Sequence, residues 1–184
     1  GYYDHNMLVM SEKVSDHLPK TEKYIPKQRL WYIRAKEVII SSGSIERPLV
    51  FGNNDTPGVM LSSAAKEYLK IYGVLVGKKP LVFTNNDSGY ETAIEFKKNG
   101  INPIVLDTRK DPNSEIIKEA KDLNINIKFS YVVVAAKGYK KVKSADIAQI
   151  SDDKKILKKI ENIKCDCICV SGFWTPTIHL ASQS

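Results

Sequence analysis

From Pro80 the sequence reads Pro-Leu-Val-Phe-Thr-Asn-Asn-Asp-Ser-Gly-Tyr, and here the residue spacing comes nearest to a known chemical task. A dinucleotide cradle places G-x-G-x-x-G between a strand and a helix, with an acid about 20 residues further on for the ribose hydroxyls. The three glycine positions are held by Thr84, Asn86 and Gly89, and the acid falls at Asp107. Gly89 still lets helix and sheet pack closely. Thr84 and Asn86 put side chains where a pyrophosphate needs bare backbone, although Asn tolerates left-handed φ. Two readings follow: a nucleotide loop, or a Rossmann-like unit that no longer binds a nucleotide there. The steric roles of the glycines favour the second.

The other chemistry-bearing residues point away from catalysis. Cys165, Cys167 and Cys169 alternate along one short run. Alternate residues of a strand stand about 6.6–7 Å apart on one face, too regular for a tetrahedral metal site. Buried thiols acting as small apolar residues are the expected role. His5, His17 and His179 form no H-x-x-x-H pair and neighbour no Ser or Cys in a triad pattern. No carboxylate pair stands out for acid–base work. The expectation is therefore no catalytic centre and no metal site in this chain.

Two further stretches could face a cofactor. The sequence Val-Ile-Ile-Ser-Ser-Gly at 38–43 reads as a buried strand ending in small residues, and Cys-Val-Ser-Gly at 169–172 repeats the pattern. In open α/β sheets, cofactors lie in the crevice at the carboxyl ends of strands.

The elements that would position these residues follow from hydrophobic periodicity. Residues 1–14 read as one or two short strands, 15–28 as a loop with Pro19 and Pro26, and 29–34 as an alternating aromatic strand. Residues 37–41 read as a strand buried on both faces, 47–58 as a linker, and 62–72 as a helix ended by Gly73. A strand at 80–83, a helix at 90–99 capped by Gly100, and a strand at 103–107 make a β-α-β unit. Asp111-Pro112 caps a helix running to Leu123, and strands follow at 127–135 and 139–150. Residues 151–163 fit a helix or a polar hairpin, and 165–170 read as a last strand.

Composition sets the outer bounds. The 184 residues are 42% hydrophobic and 27% charged, a globular balance that excludes a disordered chain. No apolar run approaches the ~18–20 residues of a membrane span, and no signal-peptide pattern opens the chain, so a cytoplasmic protein with no membrane partner is expected. The net charge of +7 comes from scattered lysines, with local clusters at 137–143 and 154–159. Without aromatic–basic interleaving this is no nucleic-acid surface. It suits a solvated basic face, or one meeting an acidic partner or a phosphate-bearing cofactor. Gly1-Tyr2-Tyr3-Asp4 lacks an initiator Met, and Ser184 follows a segment resembling a helix start, so a segment of a larger polypeptide is expected.

Several of these stretches carry a resemblance. Arg-Leu-Trp-Tyr-Ile-Arg-Ala-Lys at 29–36, Ser-Gly-Ser-Ile-Glu-Arg-Pro-Leu-Val-Phe at 42–51 and Asn-Asn-Asp-Thr-Pro-Gly-Val-Met at 53–60 are three of them. Val-Phe-Thr-Asn-Asn-Asp-Ser at 82–88 and Ser-Gly-Phe-Trp-Thr-Pro at 171–176, followed by His179-Leu180, complete the set. Together they resemble the alpha-subunit family of heterotetrameric sarcosine oxidases, and more broadly the flavoprotein reductases with two dinucleotide domains, one inserted into the other. Two positions depart from the family pattern: Phe173 stands where the family usually has Gly, and Ile45 where it often has His.

The resemblance implies an oxidoreductase of α/β fold, a Rossmann-like FAD/NAD(P)-linked reductase-type three-layer domain. Residues 60–163 would be the inserted inner domain, with 1–59 and 164–184 as segments of an interrupted outer dinucleotide domain. The run 37–41 and the strand 165–170 would then be neighbours in one sheet. The family's holoenzyme demethylates sarcosine to glycine and hydrogen peroxide and passes the one-carbon unit to tetrahydrofolate. The resemblance implies NAD in the complete alpha subunit, held through Ser42, Gly43, Gly172, Thr175, Leu180 and Ser182, with a helix start after Pro176 offering N–H groups to a pyrophosphate. FAD, FMN and tetrahydrofolate belong to the rest of the complex, whose beta, gamma and delta subunits are the expected partners. By itself this chain is expected to be inactive.

Overall fold

A computed structural model describes residues 1–20, 22–157 and 160–183. The chain divides into two compact units, one comprising residues 1–45 and 175–184 and the other residues 46–174. These boundaries differ from the expected breaks at 59/60 and 163/164.

In the first unit, β1 (Tyr2–Tyr3), β2 (Met7–Lys13) and β3 (Gln28–Arg34) form an antiparallel sheet in that order. The long β2–β3 hairpin pairs Met7 with Arg34 and Lys13 with Gln28. Glu12 ties it on one side, accepting from Trp31 Nε1 at 2.8 Å and facing Arg29 at 3.2 Å. Next comes β4 (Ser44–Glu46).

The second unit holds β5 (Val59–Leu61), α1 (Ser62–Tyr72), β6 (Pro80–Thr84), α2 (Ser88–Lys98), β7 (Ile104–Asp107), α3 (Glu115–Asp122), β8 (Asn126–Phe129), β9 (Tyr131–Lys137), β10 (Ser144–Gln149), β11 (Glu161–Lys164) and β12 (Cys167–Ser171). Beyond Ser171 come a last strand, β13 (Trp174–Pro176), and, in the first unit, a 3₁₀ turn at Ala181–Gln183.

A five-stranded parallel sheet of order β5-β12-β6-β7-β8 is the centre of this unit. Helices cover one face and the antiparallel meander β9-β10-β11 covers the other. With both faces dry, the strands are continuous apolar runs instead of alternating ones. Leu81 and Phe83 of β6 and Ile168 and Val170 of β12 pack toward the meander, where Phe51 meets Phe83 edge-on at 5.9 Å. Val82, Cys167 and Cys169 pack toward the helices with Tyr90, Phe96 and Ile117.

Several expectations need correction. Residues 37–41 form no strand: Ile39 is 91% exposed, and an apolar run without a partner strand has nothing to satisfy its backbone in a sheet. The strand read at 165–170 begins at Cys167 and is not a neighbour of 37–41; it pairs with β6 and β5, which is why residues up to Trp174 belong to the Rossmann-like unit. The linker 47–58 contributes Phe51 to the core and bridges Gly52 to Ala135, and the strand β5 follows it. The strand read at 127–135 is two strands, because Ser130 takes a left-handed φ of 58° where the chain leaves the parallel sheet for the meander. The next strand starts at Ser144 after a turn closed by Lys143 N–H donating to the Lys137 carbonyl at 2.8 Å. The third helix starts at Glu115, leaving Pro112 outside it. In 151–163, the strand β11 and the Ile150–Ile156 bridge favour the hairpin reading; Lys158 and Lys159 lie outside the described residues.

Leu81 is fully buried between sheet and meander. Leu81→Ala is expected to cost about 2–5 kcal/mol of unfolding free energy, measured by urea denaturation.

Candidate functional site

The strand order reverses beside β6: β7 and β8 extend to one side, β12 and β5 to the other. The carboxyl ends of β6 and β12 therefore flank the place where an open α/β sheet binds a cofactor. Thr84, Ser171 and Gly172 lie there, with Asp107 ending the next strand.

A pyrophosphate would need free N–H groups at the start of α2. The chain uses several of them itself. Thr84 Oγ1 donates to the Asn86 carbonyl at 2.8 Å and accepts from Asn86 N–H at 3.1 Å. Ser88 N–H donates to Asn86 Oδ1 at 2.8 Å, and Tyr90 N–H to the Asp87 carbonyl at 3.0 Å. Asn86 Nδ2 donates across the crevice to the Gly172 carbonyl, and Asn85 N–H to the Ser171 carbonyl at 3.3 Å. Trp174 Nε1 donates to Ser88 Oγ at 2.8 Å. The α1 N-terminus is served too: Glu46, buried, accepts from Ser63 N–H at 2.9 Å and Ser63 Oγ at 2.6 Å. A carboxylate there suits the helix dipole and repels a phosphate.

Gly89 keeps the packing role expected of it. A Cβ on it would lie 2.6 Å from Thr84 Cβ. Gly172 has a similar reason: its Cβ would lie 2.5 Å from the Arg47 carbonyl, which accepts the Gly172 N–H at 2.8 Å.

The ribose acid is equally committed. Asp107 has no exposed surface and accepts from Tyr90 Oη at 2.7 Å, Arg109 N–H at 2.9 Å and Arg109 Nη2 at 2.8 Å. Arg109 Nη2 also reaches Asp87 at 2.8 Å, tying the β7 end to the loop before α2. Burial, then the bond to Asp107, raises the Tyr90 pKa. Burial opposes the Arg109 charge, but the bonds to Asp107 and Asp87 outweigh it and raise its pKa. Neither Arg109 nor Tyr90 stood out in the sequence; the Asp-x-Arg spacing at 107–109 was the available signal.

The thiols divide between two faces. Cys165 packs with the meander cluster, while Cys167 and Cys169 face the helices with sulfurs 3.4 Å apart. All three are free and buried. Burial, helped by Cys167 and Asp166, pushes the Cys165 thiol up to about 12. The Cys169 thiol is raised too, by its contact with Cys167 and by burial. The histidines at 5, 17 and 179 are exposed.

Of the six residues expected to hold a cofactor, five lie in the first unit. Ser42 Oγ donates to the Thr177 carbonyl, and the Gly43 carbonyl accepts from Thr177 N–H at 2.9 Å. Ser42 and Leu180 line one cavity of about 260 Å³ with Tyr2, Leu8 and Ile39. Thr175 lies in β13, and Ser182 Oγ donates to the His179 carbonyl at 3.2 Å. Gly172 lies in the second unit. No helix starts directly after Pro176, where N–H groups for a pyrophosphate were expected; the next regular turn is the 3₁₀ stretch Ala181–Gln183.

No family model matches the chain. Among solved structures, it resembles thioredoxin reductase from T. acidophilum with a TM-score of 0.66 at 17% identity, over 85% of this chain and 51% of that one. Thioredoxin reductase from Lactococcus lactis gives 0.62 at 18% identity, over 84% and 49%. The fold is thus the Rossmann-like, three-layered α/β fold of reductase type. Over 182 residues the chain is 34% identical to sarcosine oxidase subunit alpha of Rhizobium meliloti (strain 1021), covering 98% of this chain and 17% of the relative. The same subunit of Corynebacterium sp. (strain P-1) is 32% identical over 186 residues, 100% of this chain and 19% of the relative. Throughout its length the chain is therefore similar to one segment of the sarcosine oxidase alpha subunit, and it spans under a fifth of the length of these relatives.

Two measurements check this geometry. Gly89→Ala, despite the usual helix gain of about 0.4–1 kcal/mol, is expected to destabilise by about 1–3 kcal/mol in urea melts, because Thr84 blocks the added methyl. The thiols set a pH limit. An unfolded thiol ionises near its ordinary value of 9.0 and folded Cys165 only near 12. Its contribution to stability is complete below 9.0 and is lost as pH rises toward 12. Denaturation midpoints are expected to fall across that window, and less steeply in Cys165→Ala.

Proposed function

We propose that the chain is the central module of a sarcosine oxidase alpha subunit, within a complex that demethylates sarcosine oxidatively to glycine and hydrogen peroxide and transfers the one-carbon unit to tetrahydrofolate. The identity of 32–34% along the whole chain carries this reading. The module's own part is structural and cofactor-adjacent. It supplies no amine-oxidation chemistry; FAD, FMN and tetrahydrofolate are held elsewhere in the complex, by the remainder of this subunit and by its partner subunits.

The residues at the β6–β12 crevice do not fit a dinucleotide. Side chains of Thr84 and Asn86 take the space and the Asn86 and Ser88 N–H groups that a pyrophosphate would use, and Arg109 and Tyr90 take the carboxylate a ribose needs. In the complete alpha subunit, NAD is assigned to Ser42, Gly43, Thr175, Leu180 and Ser182. The open space around Gly43 and the cavity beside Leu180 support this assignment. At about 260 Å³ the cavity is below the ~300–1,000 Å³ of a full ligand pocket. The rest of the dinucleotide would then lie against other parts of the subunit. Gly172, first grouped with these residues, has its reason for being glycine in the Arg47 carbonyl.

The rival reading is an NAD(P)H reductase domain that uses Asp107 for the ribose. Calorimetric titration with NAD separates the two. The account expects no saturable binding by the 184-residue chain and binding by the complete alpha subunit. Saturable binding by the 184-residue chain that Asp107→Ala abolishes would establish the rival.

A further inference from the structure

At the opposite end of the same parallel strands, away from Thr84 and Ser171, lies a groove of about 350 Å³ in the second unit. Lys78 and Lys79 precede β6, Lys141 and Lys143 come from the turn before β10, and Lys164 ends β11. All five are exposed, and no ion pair is formed by any of them among the described residues. Elsewhere on this unit lysines do find acids: Lys66 with Glu91, Lys98 with Glu119, Lys110 with Asp152, Lys128 with Glu161 and Lys137 with Asp146. Other lysines of this unit, Lys70 and Lys118 among them, also form no ion pair among the described residues, but the groove gathers five such lysines on one surface.

Its one acid is already used. Asp166 accepts from the backbone N–H groups of Lys78 and Lys79, both at 2.8 Å. These paired N–H groups are where a compact oxyanion would be gripped, and the protein's own carboxylate fills them. What remains free are five ammonium groups on flexible stems, carried by three separate segments. That spread matches several carboxylates along an extended chain better than one phosphate. No aromatic side chain lines the groove, so bases have nothing to stack on. The floor, Val142 and Cys165, is buried and uncharged.

We infer that this lysine-lined groove docks an acidic peptide segment of a partner protein. Charge complementarity supplies the attraction and makes the contact sensitive to salt, since exposed charges are screened over about 10 Å at 0.1 M ionic strength. The groove is separate from the crevice discussed above, so the inference stands or falls independently of the NAD assignment.

The test uses the 184-residue chain and a fluorescent ten-residue polyglutamate peptide. Saturable binding is expected at about 20 mM salt, weakening about tenfold or more at about 300 mM. Lys141→Glu with Lys143→Glu is expected to lose about tenfold or more, while Lys70→Glu with Lys118→Glu, the same change in net charge elsewhere on the unit, keeps the affinity. Should circular dichroism show the first variant unfolded, Lys141→Gln with Lys143→Gln carries the test, with a smaller loss expected. Equal losses in the groove and control variants would overturn the inference, as diffuse charge would then suffice. So would failure of the peptide to bind, or tighter binding of inorganic phosphate, of an RNA oligonucleotide or of phosphatidylglycerol vesicles.

Discussion

Asn86 joins the parts of the second unit that a cofactor would otherwise hold apart. Its carboxamide oxygen accepts the first N–H of α2, and its nitrogen donates to the carbonyl at the end of β12. In a working dinucleotide fold the corresponding groups face a pyrophosphate across bare glycine backbone. Here one side chain satisfies both sides. Thr84 locks the backbone beneath it, and Gly89 must be glycine because Thr84 occupies the space a methyl would need. The unit's crevice is closed by its own hydrogen bonds, and a ligand would have to break several of them to enter.

The second closure is electrostatic. Asp107, with no exposed surface, is matched by a guanidinium and a phenol, and that guanidinium reaches on to Asp87. Removing one partner of such a buried pair leaves a costly uncompensated charge. The arrangement thus reinforces the β6–α2 loop and withdraws the carboxylate from ligand binding together. Glu46 at the start of α1 adds a negative charge at the other helix N-terminus beside the sheet. Steric filling, committed N–H donors and committed acids all lead to one outcome, a crevice occupied by the chain's own groups.

The sequence reveals the layered unit well where local signals are strong. The helix at 62–72 with Gly73 at its end, the strand from Pro80 and the strand ending at Asp107 are marked by periodicity, caps and apolar runs, and the structure has them. It misleads where pairing partners decide. Val38, Ile39 and Ile40 are as apolar as the residues of β12, yet only β12 has neighbours on both sides, and periodicity carries no information about partners. At the crevice, the lost glycines at Thr84 and Asn86 were readable from spacing alone. The reach of Asn86 to Gly172 and of Arg109 to both Asp107 and Asp87 was not, because these contacts depend on how strand ends and loops are brought together.

Amide hydrogen exchange at Asn86 and Ser88 tests the self-filled crevice most directly. The account predicts slow exchange at both positions in the free protein, unchanged by millimolar NAD. Fast exchange in the free protein, slowed by NAD at these two amides, would contradict it.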